Sequence, residues 1–228
     1  MTIVRRPLLH WVAYLRQNRC SLLLAALCLF ILINPLIADS VTGSTILTFC
    51  MFAIMVLAVW ALRARRILLW VVVALALVCT EAILVERLAG SSLRLVTLGA
   101  MATFIGAVTI ALLYYVLDWH TITIDKVFGS LAAYVLIAFT FASLFGLLQL
   151  VQPHAFHVAA VNEPDGHLGW HDMMYFSFTV LTSTGFGEIT PVTNTARSLI
   201  VIEQVVGVMY VAFLIARLAN LYGKAPRS

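Results

Sequence analysis

Long apolar runs, separated by short polar connections, dominate the chain. A helix that crosses a membrane needs about 20 predominantly apolar residues. Six runs reach that length and are predicted to be transmembrane helices, at residues 20–38, 44–62, 67–85, 95–117, 129–151 and 196–218. The predicted fold is therefore that of an all-α integral membrane protein.

The connection between the last two runs, residues 152–195, is long and has two parts. It begins polar (QPHAFHVAAVNEPDGHLG) and continues with WHDMMYFSFTVL, an apolar and aromatic stretch too short to span a membrane. Asp172 suits the first turn of a helix. We predict a short re-entrant helix that ends in the segment LTSTGFGEITP.

The basic leader before the first run raises the alternative of a cleaved signal peptide. The apolar run exceeds the roughly 7–15 residues of a signal sequence, so a retained helix is favoured. The leader, residues 1–19, is weakly amphipathic and is predicted to lie on the cytoplasmic membrane surface.

The positions of Lys and Arg predict the orientation in the membrane. With the N-terminus inside, three of the 14 basic residues lie outside, namely Arg87, Arg94 and Arg197. The others lie inside, so a multi-pass protein of the cell membrane with both termini in the cytoplasm is expected. The connection at 152–195 then faces outwards.

Composition supports this class and excludes others. Hydrophobic residues make up 63% of the chain and charged residues 11%, which is too apolar for a soluble domain of 228 residues. The net charge of +4 comes from dispersed residues, so nucleic-acid binding is not expected. The four cysteines lack metal-ligand or disulfide spacing, and no cofactor or metal is expected. No nucleophile, base and orienting group stand in a catalytic arrangement, so the protein is not predicted to be an enzyme.

The segment STGFG has the composition of an ion-coordinating loop. Irregular backbone at membrane depth must line a cavity or be buried in protein. Alternating glycines permit successive carbonyl groups to face the same way, and such oxygens replace the water shell of a monovalent cation. One loop cannot surround an ion, so this chemistry favours a symmetric oligomer.

The stretch YFSFTVLTSTGFGEITP resembles the pore loop of the tetrameric potassium channel superfamily, whose filter usually reads T-V-G-Y-G-D. The resemblance extends over residues 172–218 and implies a potassium-conducting homotetramer. It assigns the selectivity filter to Ser183, Thr184, Gly185, Phe186 and Gly187. It also places Glu188 at the aspartate behind the outer mouth, Arg197 at the top of the inner helix and Gly207 at the hinge glycine.

Four substitutions separate this filter from the usual one. Ser183 replaces threonine, Thr184 replaces valine, Phe186 replaces tyrosine, and Glu188 replaces aspartate. Each change loosens a contact of the filter, so a weakly selective monovalent cation channel is kept as an alternative. A non-conducting membrane scaffold or accessory subunit is a second alternative, although both filter glycines are intact.

The predicted domains follow from these elements. Residues 20–118 form a four-helix bundle, and residues 119–228 form the pore domain. The fourth run carries no Lys or Arg, so voltage gating by that helix is excluded. The stimulus that opens the pore is not predicted, and an unknown regulatory partner is an open possibility.

Further residues are assigned to support and gating. The residues predicted to support the filter are Asp172, Thr179, Thr182, Glu188 and Glu203. In the last run, Glu203 and Gln204 are polar exceptions. Helical spacing places one face along the pore, comprising Gln204, Val208, Val211 and Ile215. Glu203 then turns towards the pore helix, where it supports the filter or only joins two helices.

Two further assignments stay open at this point. Gly207 is interpreted either as a bend point for opening or as a close-packing glycine. The outer histidines flank the pore entrance and are interpreted as pH or metal sensors, or simply as solvated residues. They are His154, His157, His167 and His171.

Overall fold

A computed structural model describes residues 19–37, 41–61, 94–118, 123–158 and 168–223 of the protein. The predicted leader helix and the third apolar run, residues 67–85, lie outside the described residues. The other five runs are helical, as predicted.

Helices account for most of the described chain. In chain order they are α1 (Arg19–Ile37), α2 (Val41–Ala61), α3 (Arg94–Leu117), α4 (Ile124–Val151), α5 (Trp170–Leu181) and α6 (Asn194–Gly223). Helix α4 begins before its apolar run because the Thr123 hydroxyl accepts the backbone N–H of Lys126 at 3.3 Å, which caps its first turn. The Thr193 hydroxyl caps α6 in the same way, through Ala196 N–H at 3.2 Å.

By length and composition, four of the described helices are able to cross a membrane. They are α1, the Leu95–Leu117 part of α3, α4, and the Asn194–Ala219 part of α6. The Thr45–Ala61 part of α2 is apolar but shorter. The total of six spans therefore stays a prediction.

A small antiparallel strand pair accompanies the helices. Strand β1 (Phe156–Val158) pairs with β2 (Ile189–Pro191), with His157 opposite Thr190. The all-α prediction omitted this pair, because three-residue strands carry no measurable hydrophobic period. The pair joins the segments that precede α5 and follow the STGFG segment.

The chain divides into two compact units, and the first comprises residues 1–74 and 108–133. Within it, α1 packs against α2. The Asp125 carboxylate accepts the Cys20 N–H at 2.9 Å, which ties the start of α1 to the start of α4. A Cβ at Gly129 would lie 3.2 Å from Cys20 Sγ, so the glycine permits this close approach.

The second unit comprises residues 75–107 and 134–228 and contains α5 and α6. Its core is aromatic. Phe145, Phe156 and Phe176 surround one another with ring centroids 5.2 to 5.4 Å apart, and Phe139 meets Phe178 edge-on at 6.2 Å. These contacts fix α5 between α4 and the strand pair.

Candidate functional site

The short helix α5 matches the predicted re-entrant stretch at both ends. Asp172 stands in its first turn, and its carboxylate accepts the Gly169 N–H at 2.7 Å. This confirms Asp172 as a residue of a helix N-terminus. Its contact lies at the opposite end of α5 from residues 183–187, so the support it gives the filter is indirect.

The C-terminus of α5 holds the backbone of the following segment. The N–H groups of Thr182 and Ser183 bond to the carbonyls of Phe178 and Val180, at 3.1 and 2.9 Å. The carbonyl of Thr179 accepts two further N–H groups, from Thr184 at 2.8 Å and Gly185 at 3.2 Å. The last carbonyls of α5, which a helix leaves unpaired, thus secure the segment through its donors.

The filter segment, residues 183–187, has an alternating backbone. Ser183, Gly185 and Gly187 have φ of 55°, 56° and 83°, whereas Thr184 and Phe186 do not have positive φ. Such alternation turns successive carbonyls towards one side, and only glycine adopts positive φ freely. No group in the described ranges donates a hydrogen bond to these carbonyl oxygens. The assignment of these oxygens to ion binding stays a prediction.

A hydroxyl relay binds the filter segment to α5. Thr182 Oγ1 lies 2.7 Å from the Phe178 carbonyl oxygen and 2.8 Å from Thr184 Oγ1. A hydroxyl has one proton, and a carbonyl has none to give. Thr182 therefore donates to Phe178, and Thr184 must donate to Thr182. Thr184 has a hydroxyl where the usual filter has valine, and this hydroxyl is hydrogen-bonded to Thr182.

Tyr175 contacts the other end of the filter segment. Its ring stacks on Phe186, with centroids 6.3 Å apart and planes 2° from parallel. Interaction of its hydroxyl with the Glu188 carboxylate raises the pKa of Tyr175 above its ordinary value of 10.0. The phenol is therefore protonated at neutral pH. Glu188 thus contacts α5, and Phe186 is held by stacking without a hydroxyl of its own.

Two layers of contacts join α4, α5 and α6 behind the filter segment. In the first layer, Ser177 Oγ lies 2.7 Å from the Ala138 carbonyl oxygen and 2.5 Å from Glu203 Oε1. All three residues are fully buried. Glu203 therefore faces the pore helix, as its position on α6 predicted.

The second layer lies one turn earlier on α4 and one turn later on α5 and α6. The Tyr134 hydroxyl donates to the Leu181 carbonyl at 3.3 Å, and Gly207 of α6 packs directly on that carbonyl. The residues of the two layers are four apart on α4, on α5 and on α6, which is about one helical turn. The three helices thus contact one another at two levels, one helical turn apart. The second level is at Leu181, the residue that ends α5.

Sequence reasoning missed four members of these layers, Ser177, Ala138, Tyr134 and Leu181. Ser177 carried a weak signal, because it is a polar residue inside an apolar helix. Tyr134 and Leu181 carried none, since a tyrosine in a transmembrane helix and a backbone carbonyl are ordinary features.

Comparison with known families agrees with this geometry. A family model described as "Ion channel" matches residues 131–224, which contain α5, the filter segment, α6 and most of α4. The match covers less than half of the chain, so it shows that this part of the chain is similar to that family. No curated protein and no solved structure matches the chain. By likeness to that family, α4 is named the outer helix, α5 the pore helix and α6 the inner helix.

The predicted pore-lining residues share an exposed face of the inner helix. Gln204, Val208, Val211 and Ile215 are exposed in the single chain, whereas Gly207 is buried on the pore-helix side. These four residues contribute little to the packing of their own chain, which leaves them available to a cavity or to another subunit. The inner helix runs unbroken through Gly207.

The predicted outer histidines that the structure describes are dispersed. His154 lies in the turn after the outer helix, His157 in β1, and His171 in the first turn of the pore helix, all exposed. His167 lies outside the described residues. Within the ranges that the structure covers, no three His, Cys, Asp or Glu residues group as metal ligands.

Proposed function

We propose that the protein is an ion channel that conducts potassium ions passively through a homotetrameric pore whose filter is residues 183–187. The observation that carries the proposal is that the N–H groups and the carbonyl oxygens of the filter backbone have different partners. The donors at its start are bonded to the pore helix, while its carbonyl oxygens accept no bond from a described residue. A row of fixed oxygens is what a dehydrating monovalent cation requires.

The exposure of the filter supports an oligomer. Residues 182–188 are all exposed in the single chain, including Phe186 at 66%. One chain supplies one row of oxygens, so several copies around an axis are needed to enclose an ion. Four copies would place four Ser183 hydroxyls at the innermost position, below the carbonyl rows.

Gating and orientation follow from charge. No Lys or Arg lies within the Leu95–Leu117 part of α3, so this helix supplies no gating charge. The excess of basic residues in the connections assigned to the cytoplasm places both termini inside. The channel would then lie in the cell membrane with its filter near the outer surface.

A weakly selective cation channel is the second candidate, and the filter contacts favour considering it. Phe186 has no hydroxyl with which to anchor the filter and is held by stacking on Tyr175. A filter held by fewer directional bonds adapts more easily to sodium. Reversal potential distinguishes the two candidates.

The test is to reconstitute the purified chain in a planar bilayer with potassium on one side and sodium on the other. A reversal potential near the potassium equilibrium value supports the first candidate, and a value near zero with measurable current supports the second. A tetramer should be seen by native mass spectrometry of the same sample. Gly185→Ala is the matched variant, because its Cβ would meet nothing within 4 Å while φ is +56°. Its effect would therefore come from backbone strain and not from a clash within the chain, and unaltered selectivity in this variant would contradict the assignment of the filter.

A further inference from the structure

In the first layer of contacts behind the filter, the Ser177 hydroxyl has one proton but contacts two other oxygen atoms. Ser177 Oγ lies within hydrogen-bond distance of two oxygens, the Ala138 carbonyl at 2.7 Å and Glu203 Oε1 at 2.5 Å. A serine hydroxyl has one proton, and a carbonyl oxygen only accepts. Two hydrogen bonds among these three oxygens need two protons, so the second must come from Glu203.

We propose that Glu203 is held as a neutral carboxylic acid that donates its proton to Ser177 and thereby positions the pore helix and its filter. In this arrangement Glu203 donates to Ser177 Oγ, and Ser177 donates to the Ala138 carbonyl. The proposal rests on the proposed ion-conducting function only for its effect on the filter.

The surroundings of Glu203 agree with a neutral acid. Its side chain is fully buried, and its second oxygen, Oε2, has no hydrogen-bond partner in the described part of the chain. A buried carboxylate with an unpartnered oxygen is far more costly than a buried carboxylic acid. Among the described residues, no Lys, Arg or His forms an ion pair with Glu203. The titratable side chain near it is Tyr134 of the outer helix, a neutral phenol that supplies no countercharge.

The bridge reaches the filter through the pore helix. Ser177 immediately precedes Phe178, Thr179 and Val180, whose carbonyls hold the N–H groups at the start of the filter. Fixing Ser177 to the outer and inner helices fixes the height and rotation of those carbonyls. Glu203 touches no permeating ion, and it acts as a positioning residue.

Infrared spectroscopy of the full chain tests the protonation state directly. The sample is purified in a detergent without carbonyl groups, and the spectrum of Glu203→Gln is subtracted from that of the wild type at neutral pH. We expect a carboxylic acid C=O band that is present in the wild type, absent from the variant and shifted in heavy water. Glu188→Gln, which removes an exposed carboxyl group, should leave that band in place. A wild type without the band, or with a carboxylate band assigned to Glu203, would overturn the proposal.

Reversal potentials test the positioning role. Glu203→Val removes the proton donor and is expected to lower the potassium-to-sodium permeability ratio by about tenfold. Glu203→Gln retains an N–H donor for Ser177 and should recover most of that loss. Ser177→Ala should resemble Glu203→Val, and the double variant should be no worse than either, since one bridge is broken in all three. Equal ratios in the Gln and Val variants would refute the positioning role.

The two measurements separate this proposal from the proposed function. If the wild type passes no cation current, potassium conduction fails, but the infrared band still decides the state of Glu203. If Glu203→Val does not assemble, the Gln and Ser177→Ala variants still provide the comparison. A selective wild type with an ionised Glu203 would refute only the inference made here.

Discussion

Gly207 offers a sharp test of how the inner helix supports the filter. A Cβ at this position would collide with the carbonyl oxygen of Leu181 and lie 3.0 Å from its carbonyl carbon and its Cδ1. Leu181 ends the pore helix, so the obstacle is backbone and cannot rotate away. Gly207→Ala should therefore push the pore helix and the inner helix apart.

The magnitude follows from two opposing effects. Replacing glycine by alanine inside a helix stabilises it by about 0.5–1 kcal/mol. Overpacking of a close contact costs about 1–3 kcal/mol, and a contact with backbone lies towards the upper end. The net expectation is a destabilisation of about 1–2 kcal/mol, which lowers the melting midpoint of a domain of this size by roughly 2–8 °C.

The assay is thermal unfolding of the purified channel together with its reversal potential. Gly146→Ala in the outer helix is the matched control, because a Cβ there would meet nothing within 4 Å. This control should be neutral or slightly more stable. Gly207→Ala could instead have the melting midpoint and the ion selectivity of Gly146→Ala and yet fail to open. In that case Gly207 is a bend point and the packing argument is wrong.

Three further outcomes are expected from the filter contacts. Thr182→Val should reduce selectivity more than Thr184→Val. Thr182→Val breaks both hydrogen bonds of the hydroxyl relay, whereas Thr184→Val breaks one. Equal reversal potentials in the two variants would contradict the relay. Tyr175→Phe retains the ring stacking but loses the interaction with Glu188, so its filter should weaken at neutral pH. Since that interaction raises the pKa of Tyr175, its contribution in the wild type is lost only as pH rises through the raised value; wild-type currents that stay constant across mildly alkaline pH check this. Ser183→Gly removes the cost of a left-handed serine, about 1–2 kcal/mol, together with the side-chain oxygen, so conductance should fall while the melting midpoint does not.

The local features of the site could be predicted from the sequence because short-range physics determines them. The pore helix covers the residues of the apolar stretch after GHLG, with Asp172 in its first turn. The filter segment alternates in φ where the glycines stand, and Ser183 continues the alternation. Length and hydropathy likewise located the helices that the structure describes, apart from shifts at their polar ends.

The partners of these elements were decided by the tertiary structure. Helical spacing showed that Glu203 and Gln204 face different ways, but not that Glu203 would meet a serine 26 residues earlier in the chain. Gly207 allowed two interpretations until its contact with Leu181 favoured close packing. Periodicity fixes which residues share one face of a helix. Which helix that face meets, and at which turn, depends on the packing of distant segments, and this packing brought Ala138, Ser177 and Glu203 together behind the filter.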